Sequence, residues 1–367
     1  MMLPSSKKIN FFEGQPEKEV IIKVAPSKNE RFIEPKVYGK VRMPLADSAY
    51  PVEIIYPEKR VELFANQIIY PNHVVLNEQM NIMPSTFMRN RKHHHGGVKY
   101  QNDGTYIITK KYEETHEAKL IESPVYHADT DHPDVYGHVL LEVIPSLWAK
   151  DLLSEKDLKI ATSIKMNKSY AAIFNALNIK LNKVITLSEP CKVKQLLFPT
   201  KIVQRRKFID PITFNIYERL KNQLSCMTDL TCPERIYISR SKVPGRELLN
   251  ELELEDIFKQ KGFTIIHPQE LSIYEQVKIF SNAKLIAGVG GSAMHNTVYS
   301  APDAKVLIIC STGWLVVADS LICQQKDQLG YIFGEPTQFP QGGHRTQSTW
   351  KVDLDEVKSA ISQHFSI

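Results

Sequence analysis

Between residues 235 and 309, apolar strand-like runs alternate with segments of helical period. This alternation constrains the fold most. Strands joined by helices must run parallel, with right-handed crossovers. Residues 235–239 read as a strand. Residues 246–261 read as a helix, with apolar residues at 248, 249, 252, 254, 257 and 258 and a stop at Gly262. Residues 263–266 form the next strand, and 272–282 a helix opened by a Ser272/Glu275 capping box. A strand at 284–287, a helix at 292–300 and a strand at 305–309 complete the series. The expected class is α/β, with a doubly wound parallel sheet in the C-terminal part and its ligand at the carboxyl ends of the strands.

A chain of 367 residues exceeds what one hydrophobic core usually spans, so two domains are expected. The first half is less regular. Short β-rich runs at 61–64, 67–70 and 106–109 are broken by Pro, Asn and Gly, and 136–148 reads as a helix kinked at Pro145. A helix-like run at 167–177 and strand-like runs at 183–187 and 195–198 follow. The basic stretch 201–210 is the expected crossing between domains. This gives an N-terminal domain over 1–205, a C-terminal domain over 206–350 and a tail helix over 351–367. No run approaches the roughly 20 apolar residues of a membrane span, and residues 1–10 hold no apolar signal core. The five cysteines include no C-x-x-C pair, with Cys226 and Cys232 the nearest neighbours. These features predict a reduced, cytoplasmic setting. A net charge of +5 is too mild for a nucleic-acid binder. It suits an anionic small ligand, an anionic polymer or loose contact with an acidic membrane surface.

Three constellations carry chemistry. In Lys284-Leu-Ile-Ala-Gly-Val-Gly-Gly-Ser-Ala-Met-His-Asn296 an apolar run ends in three glycines and passes into a helix-like segment with Ser292, His295 and Asn296. Small residues admit a ligand close to the backbone, and a helix start offers unpaired N–H groups, so the expected guest is a phosphate. Gly288-x-Gly290-x-x-Ala293 also matches the dinucleotide fingerprint. However, it follows the third visible strand, and the next strand ends Ile308-Ile-Cys310 with no acid for a ribose. A tight strand–helix turn without any ligand is the plainer alternative. Arg240, Lys242 and Arg246 follow the strand ending at Ser239, and guanidinium forks suit phosphate oxygens, although a solvated basic loop has the same composition. Both segments fall at strand ends of one sheet and are expected to face one cleft. In the first half, His138 and Glu142 stand four apart, on one helical face, as a carboxylate-oriented general base requires, although a surface or satisfied interior histidine has the same spacing. Asp129, Asp131, His132 and Asp134 lie just upstream without the spacing of a known metal site. Arg91-Lys-His-His-His-Gly-Gly97 reads as a flexible basic loop, or as one that grips an anionic acceptor.

Taken in order, these pieces resemble glycosyltransferase family 61 over roughly residues 60–310. The ordered series is Ile236-Tyr-Ile-Ser-Arg240, Arg246 with Asn250-Glu251, Gly262-Phe263, Pro268-Gln-Glu-Leu-Ser272, Glu275-Gln276 and Gly288 to Asn296. Tyr136-Gly-His138 with the following Leu-Leu-Glu-Val-Ile-Pro145 is similar to the family's aromatic–His–leucine-rich segment. The resemblance implies a GT-B-like architecture of two Rossmann-like domains facing across a cleft, with the donor on the C-terminal domain and the acceptor on the N-terminal one. It implies inverting transfer from a nucleotide-sugar, most often UDP-linked, with no cofactor and no obligatory metal. Many members carry His before the second loop glycine, where this chain has Gly290. The Gly-Ser-Ala-x-His-Asn form resembles bacterial members.

Inverting transfer needs a base for the acceptor hydroxyl and a stabiliser for the departing diphosphate. His138 is the expected base, with Glu142 its orienter or an alternative base. Arg240, Arg246, Gly290, Gly291, Ser292, His295 and Asn296 are expected on the donor side. Glu270 is expected to take hydrogen bonds from ribose or sugar hydroxyls, or simply to complement the helix starting at Ser272. The expected partners are a nucleotide-sugar donor and a glycan or lipid-linked glycan acceptor in bacterial capsule or lipopolysaccharide synthesis. Peripheral membrane association and a homo-oligomer are compatible with the sequence. An NAD(P)-dependent oxidoreductase and a non-catalytic nucleotide- or glycan-binding protein are the alternatives.

Overall fold

The computed structural model describes residues 8–9, 18–42, 50–79, 81–83, 98–108, 118–154, 157–325, 329–338 and 347–367. Its contacts divide the chain into two compact units. The first comprises Met1–Lys28, Tyr56–Gln204 and Asp210–Ile216, and the second Asn29–Ile55, Arg205–Ile209 and Tyr217–Ile367. In this stretch the chain passes between the units at 204/205, 209/210 and 216/217. Residues 29–55 leave the N-terminal half and join the second unit, chiefly through Lys36–Tyr38, which pairs in parallel with Leu329–Gln338.

The first unit is built on a mixed sheet in the order Val184–Thr186, Lys159–Thr162, Val125–His127, Cys191–Pro199, Lys59–Tyr70, Glu19–Val24. The first four strands are parallel, and the last two join antiparallel. The winding therefore reverses between Val125–His127 and Cys191–Pro199, and residues 128–131 and 200–201 emerge at the carboxyl ends on either side of that reversal. Phe64, Val125, Ala161, Val193 and Leu196 fill one core of this unit. The runs at 61–64 and 67–70 form one strand, Lys59–Tyr70, with Asn66 at a positive φ of 54°. Lys168–Ala176 is helical, and the Asn167 side chain accepts the Tyr170 N–H as its cap.

The segment at 136–148 is helical but irregular. Tyr136–His138 is α, Val139–Val143 is a π turn, Ile144–Ser146 is α again and Leu147–Leu152 is 3-10. Pro145 falls in the first turn after the π segment, where its missing N–H is tolerated. The irregularity expected at Pro145 is therefore taken up one turn earlier, directly after His138.

The second unit carries a sheet in the order Thr264–Ile266, Arg235–Ile238, Leu285–Val289, Lys305–Ser311, Leu329–Gln338, Thr349–Lys351. The first five strands are parallel and the last is antiparallel. Counted along the chain, the parallel strands lie 2-1-3-4-5, so the winding reverses between Arg235–Ile238 and Leu285–Val289. The sheet's core includes Tyr237 stacked on Phe258 at 4.4 Å, with Leu254, Leu307 and Ile309 around it. The expected helix at 246–261 is shorter, Glu251–Gln260. Residues 247–249 instead exchange backbone hydrogen bonds with Trp350, and Arg246 takes a left-handed φ of 57°. The stop at Gly262 is as expected. Gly262 sits at φ 79°, its N–H reaches Lys259 O, and the Phe263 N–H reaches Phe258 O, closing the last turn. The Ser272/Glu275 capping box is complete. The helix expected at 292–300 is present as a 3-10 helix over Ser292–Tyr299. Leu354–Phe365, capped by Asp353, is no detached tail: Val357, Ala360, Ile361 and Phe365 enter this unit's core.

The chain thus has an N-terminal mixed sheet and a C-terminal parallel sheet with interspersed helices, consistent with a two-domain Rossmann-like α/β architecture. No helix among the described residues is long and apolar enough to cross a membrane. In the first unit Lys59 Nζ lies 2.9 Å from Asp210 Oδ2, both side chains almost fully buried, and Ser27 Oγ donates to Asp210 Oδ1 at 2.9 Å. Removing one partner strands the other's charge in the interior. Asp210→Ala is expected to lower stability in urea denaturation by about 3–5 kcal/mol.

Candidate functional site

Each sheet gathers polar residues where its winding reverses. In the first unit, His138 Nδ1 lies 3.0 Å from Glu142 Oε2 and 3.5 Å from Asp131 Oδ1. Sequence pairs His138 with Glu142, and the structure brings them together. The contact of His138 with Asp131 was missed, because Asp131 lies seven residues upstream on a loop and only the return of the chain joins them. Thr130 Oγ1 donates to Glu142 Oε2, and the imidazole of His132 meets that of His138 edge to face at 4.6 Å. The two carboxylates are buried, and His138 keeps a 12% exposed side chain. With Nδ1 turned to carboxylates, Nε2 is the nitrogen left to accept a proton. Asp131, His138 and Glu142 also bring three ligand-type atoms within 4.8 Å of one another. Lys201 places a cation beside these carboxylates, which opposes a second cation there.

Behind this group, Asp129 is fully buried and accepts the N–H of His73 and both the N–H and Oγ–H of Ser163. Burial pushes its carboxyl upward, against those hydrogen bonds. Burial draws the Lys201 ammonium down to about 8, although Glu142, Asp129 and Asp131 pull it back up. Sequence marked Lys201 only as the start of the interdomain crossing. Burial, with Lys201 nearby, holds the His127 imidazole well below its usual range and therefore neutral.

In the second unit, Arg240 and Arg246 converge over the glycine turn. The Arg240 guanidinium approaches Gly291 so closely that a Cβ there would lie 2.8 Å from Nη1. Arg246 lies with its guanidinium carbon 3.8 Å from the centre of the Trp314 ring, a cation–π contact. Burial, and then the nearby Arg240, draw Arg246 down to about 10, still cationic at neutral pH. Among the described residues neither guanidinium is ion-paired with a carboxylate. Glu251, whose pKa burial raises, instead accepts the backbone N–H of Arg240 and the hydroxyl of Ser239, which fixes the turn that carries Arg240. A small hollow beside the turn is lined by Arg246, Gly290, Cys310, Ser311, Trp314 and Trp350. Trp314 and Glu251 are functional candidates that sequence reasoning left without a role. Glu251 could have been found from its position at the start of a helix facing the Ser239 strand end.

The other expected donor residues are placed differently. Ser292, partly exposed, opens the 3-10 helix directly after Gly291. His295 is buried with Nδ1 2.7 Å from Asp319 Oδ1, and Asn296 is fully buried, its amide donating to Gln276 Oε1 at 3.1 Å. Glu270 is half exposed and pairs with Lys242 at 2.7 Å, so both reach solvent together and the lysine holds the carboxyl below its ordinary range. The His93–His95 loop lies outside the described residues.

Residues 136–307 match the family model described as Glycosyltransferase 61. The matched region opens two residues before His138 and closes inside Lys305–Ser311, so it takes in His138, Glu142, Lys201, Arg240, Arg246 and the glycine turn, while Asp131 and Trp314 fall outside it. Sugar transfer is the general activity consistent with that match. A search of curated proteins finds no match.

Gly290 is held to its size by its neighbour, since a Cβ there would lie 2.5 Å from the Sγ of buried Cys310. Gly290→Ala is expected to cost about 1–3 kcal/mol in stability through overpacking. Adding Cys310→Ala should recover part of that loss in thermal melts.

Proposed function

We propose that the protein is an inverting glycosyltransferase that moves a sugar from a nucleotide-diphosphate donor, UDP-linked, to a glycan hydroxyl. One observation carries the donor side. Two partly buried guanidinium groups converge at the point of strand reversal, over a glycine turn, without ion pairs to carboxylates among the described residues. Holding two like charges together is unfavourable unless an anion answers both, and a diphosphate presents enough oxygens to do so. The N–H groups opening Ser292–Tyr299 add further donors at the same turn. Arg240, Arg246, Gly290, Gly291 and Ser292 are the proposed diphosphate contacts. His295 and Asn296 support the turn from beneath, and Glu270 takes hydroxyl hydrogen bonds once Lys242 releases it.

The proton side rests on His138. The acceptor hydroxyl oxygen forms a bond to the anomeric carbon as the bond from that carbon to the donor phosphate breaks. The hydroxyl proton passes to His138 Nε2, and the diphosphate leaves with its electron pair to the two arginines. The attacked carbon has oxocarbenium character, and a single displacement inverts it. Glu142 and Asp131 hold the Nδ1 proton and stabilise the imidazolium that forms. A cytoplasmic role in building bacterial capsule or lipopolysaccharide, with peripheral contact to an acidic membrane, is part of this reading. The dinucleotide alternative gains no specific support, since Lys305–Ser311 ends without a carboxylate for a ribose.

Thermal shift against UDP, UDP-sugars and NAD(P) tests the reading. Stabilisation by UDP and not by NAD(P) is expected, and the reverse would overturn it. Arg240→Ala is expected to weaken UDP binding by about 1.5–3 kcal/mol, and unchanged affinity would remove Arg240 from the site. His138→Ala is expected to lower turnover roughly 10²–10⁴-fold with donor affinity nearly intact. Near-normal turnover would discard His138 as the base.

A further inference from the structure

Two carboxylates close on one imidazole nitrogen: Glu142 at 3.0 Å and Asp131 at 3.5 Å from His138 Nδ1. A third, Asp129, is buried just behind. Like charges so placed drive each other to take up protons, and a protonated Glu142 or Asp131 would no longer stabilise an imidazolium. Something must offset them. Among the described residues the titratable groups around this cluster are His73, His127, Asp129, Asp131, His132, His138, Glu142 and Lys201, and His73 meets Asp129 through its backbone N–H and His127 ring to ring at 4.9 Å. His127 is stacked on Phe198 at 5.0 Å, and among the described residues neither of its ring nitrogens has a hydrogen-bond partner. Burial keeps it neutral. His132 meets His138 edge to face, and its Nε2 stands 3.8 Å from Asp131 Oδ2, but its side chain is 45% exposed, so solvent screens whatever charge it carries. This leaves Lys201.

The position of Lys201 follows from the sheet. It emerges just beyond Cys191–Pro199, across the winding reversal from the loop that follows Val125–His127. Its Nζ donates to the backbone oxygen of Asp129 at 3.2 Å and to Ser146 Oγ at 3.2 Å. Ser146 Oγ in turn donates to the backbone oxygen of Glu142 at 2.6 Å. One ammonium thus ties the strand-end loop bearing Asp129 and Asp131 to the helix bearing Glu142. Ser146 Oγ reaches the carbonyl four residues back, the bond a serine hydroxyl makes within a helix.

We infer that Lys201 is a positioning residue for the His138 site. It ties the Asp131 loop to the Glu142 helix and places a positive charge beside the carboxylates that face one imidazole. The inference rests on the reading of His138 as the base. It adds a requirement that the base alone does not impose, namely a cation at 201 coupled to Glu142.

The test uses the full chain with Lys201→Met, Lys201→Arg, Glu142→Gln and the Lys201→Met/Glu142→Gln double variant. Turnover is followed as UDP release from whichever UDP-sugar of a panel the unaltered protein consumes. Lys201→Met is expected to lower kcat by at least about tenfold while the donor and acceptor KM values stay nearly unchanged. Lys201→Arg should retain more turnover than Lys201→Met. In denaturation, the double variant should lose clearly less stability than the sum of its single variants, because each change removes the charge the other leaves unbalanced. A Lys201→Met variant with unaltered kcat, or strictly additive stability losses, would overturn the inference. If Lys201→Met alone does not fold, recovery of folding in the double variant supports the inference, and failure to recover overturns it. The base reading fails separately. Normal turnover by His138→Ala would end it, whereas the Lys201–Glu142 stability coupling is read without any substrate.

Discussion

A parallel sheet that winds first one way and then the other cannot cover its own strand ends at the point of reversal. Helices leave in opposite directions from the two central strands, and the loops between them open a crevice. In this protein that constraint acts twice. In the first unit the reversal falls between Val125–His127 and Cys191–Pro199, and the strand ends deliver Asp129, Thr130, Asp131 and Lys201. In the second it falls between Arg235–Ile238 and Leu285–Val289, and the ends deliver Arg240 and the glycine turn. Much of the polar chemistry described above depends on these two breaks in winding.

The two breaks are furnished with opposite charge. The first collects carboxylates around one imidazole, an environment that welcomes a proton. The second collects guanidinium groups around bare backbone, an environment that welcomes a polyanion. Each arrangement is electrostatically awkward in isolation, and the packing is what maintains it. Glu251 grips the turn that carries Arg240, and the rings of Trp314 and Trp350 flank Arg246, whose carbonyl accepts the Trp350 indole N–H at 3.1 Å. On the other side, Thr130, Ser146 and Ser163 occupy the lone pairs of the acidic cluster and its backbone. Groups that repel one another persist only where their surroundings over-determine them, which is a common mark of functional sites.

How much of this was legible beforehand depended on sequence separation. The capping box at Ser272, the stop at Gly262 and the pairing of His138 with Glu142 are contacts of five residues or fewer, and local rules found each one. The parallel sheet was legible because its period and punctuation are regular. Contacts that close long loops were not. Lys201 reaches Asp129 across 72 positions, and nothing near it in sequence hints at a buried amine. The shortened helix at Glu251 reflects Trp350, a hundred residues on, competing for the backbone of residues 247–249. Helix type was also out of reach. Nothing local in residues 139–143 marks a π turn, and residues 292–299 carry an ordinary helical pattern over a 3-10 backbone.

The pairing of Lys36–Tyr38 with Leu329–Gln338 has a consequence for how the chain is made. Val37 lies opposite Tyr331, so an early strand must wait for a partner that the ribosome produces roughly 290 residues later, about 15 to 60 s at ordinary rates of synthesis. The described strands of the first unit, the last of which ends at Gln204, are all made partway through that interval. Lys36–Tyr38 therefore lacks its sheet neighbour for as long as Leu329–Gln338 is unmade. Exposed Ile33, Val37, Val52 and Ile55 lie in or near Lys36–Tyr38 in sequence, which makes the time on the ribosome, more than the life of the finished protein, the period when this chain is most open to mispairing with its own copies.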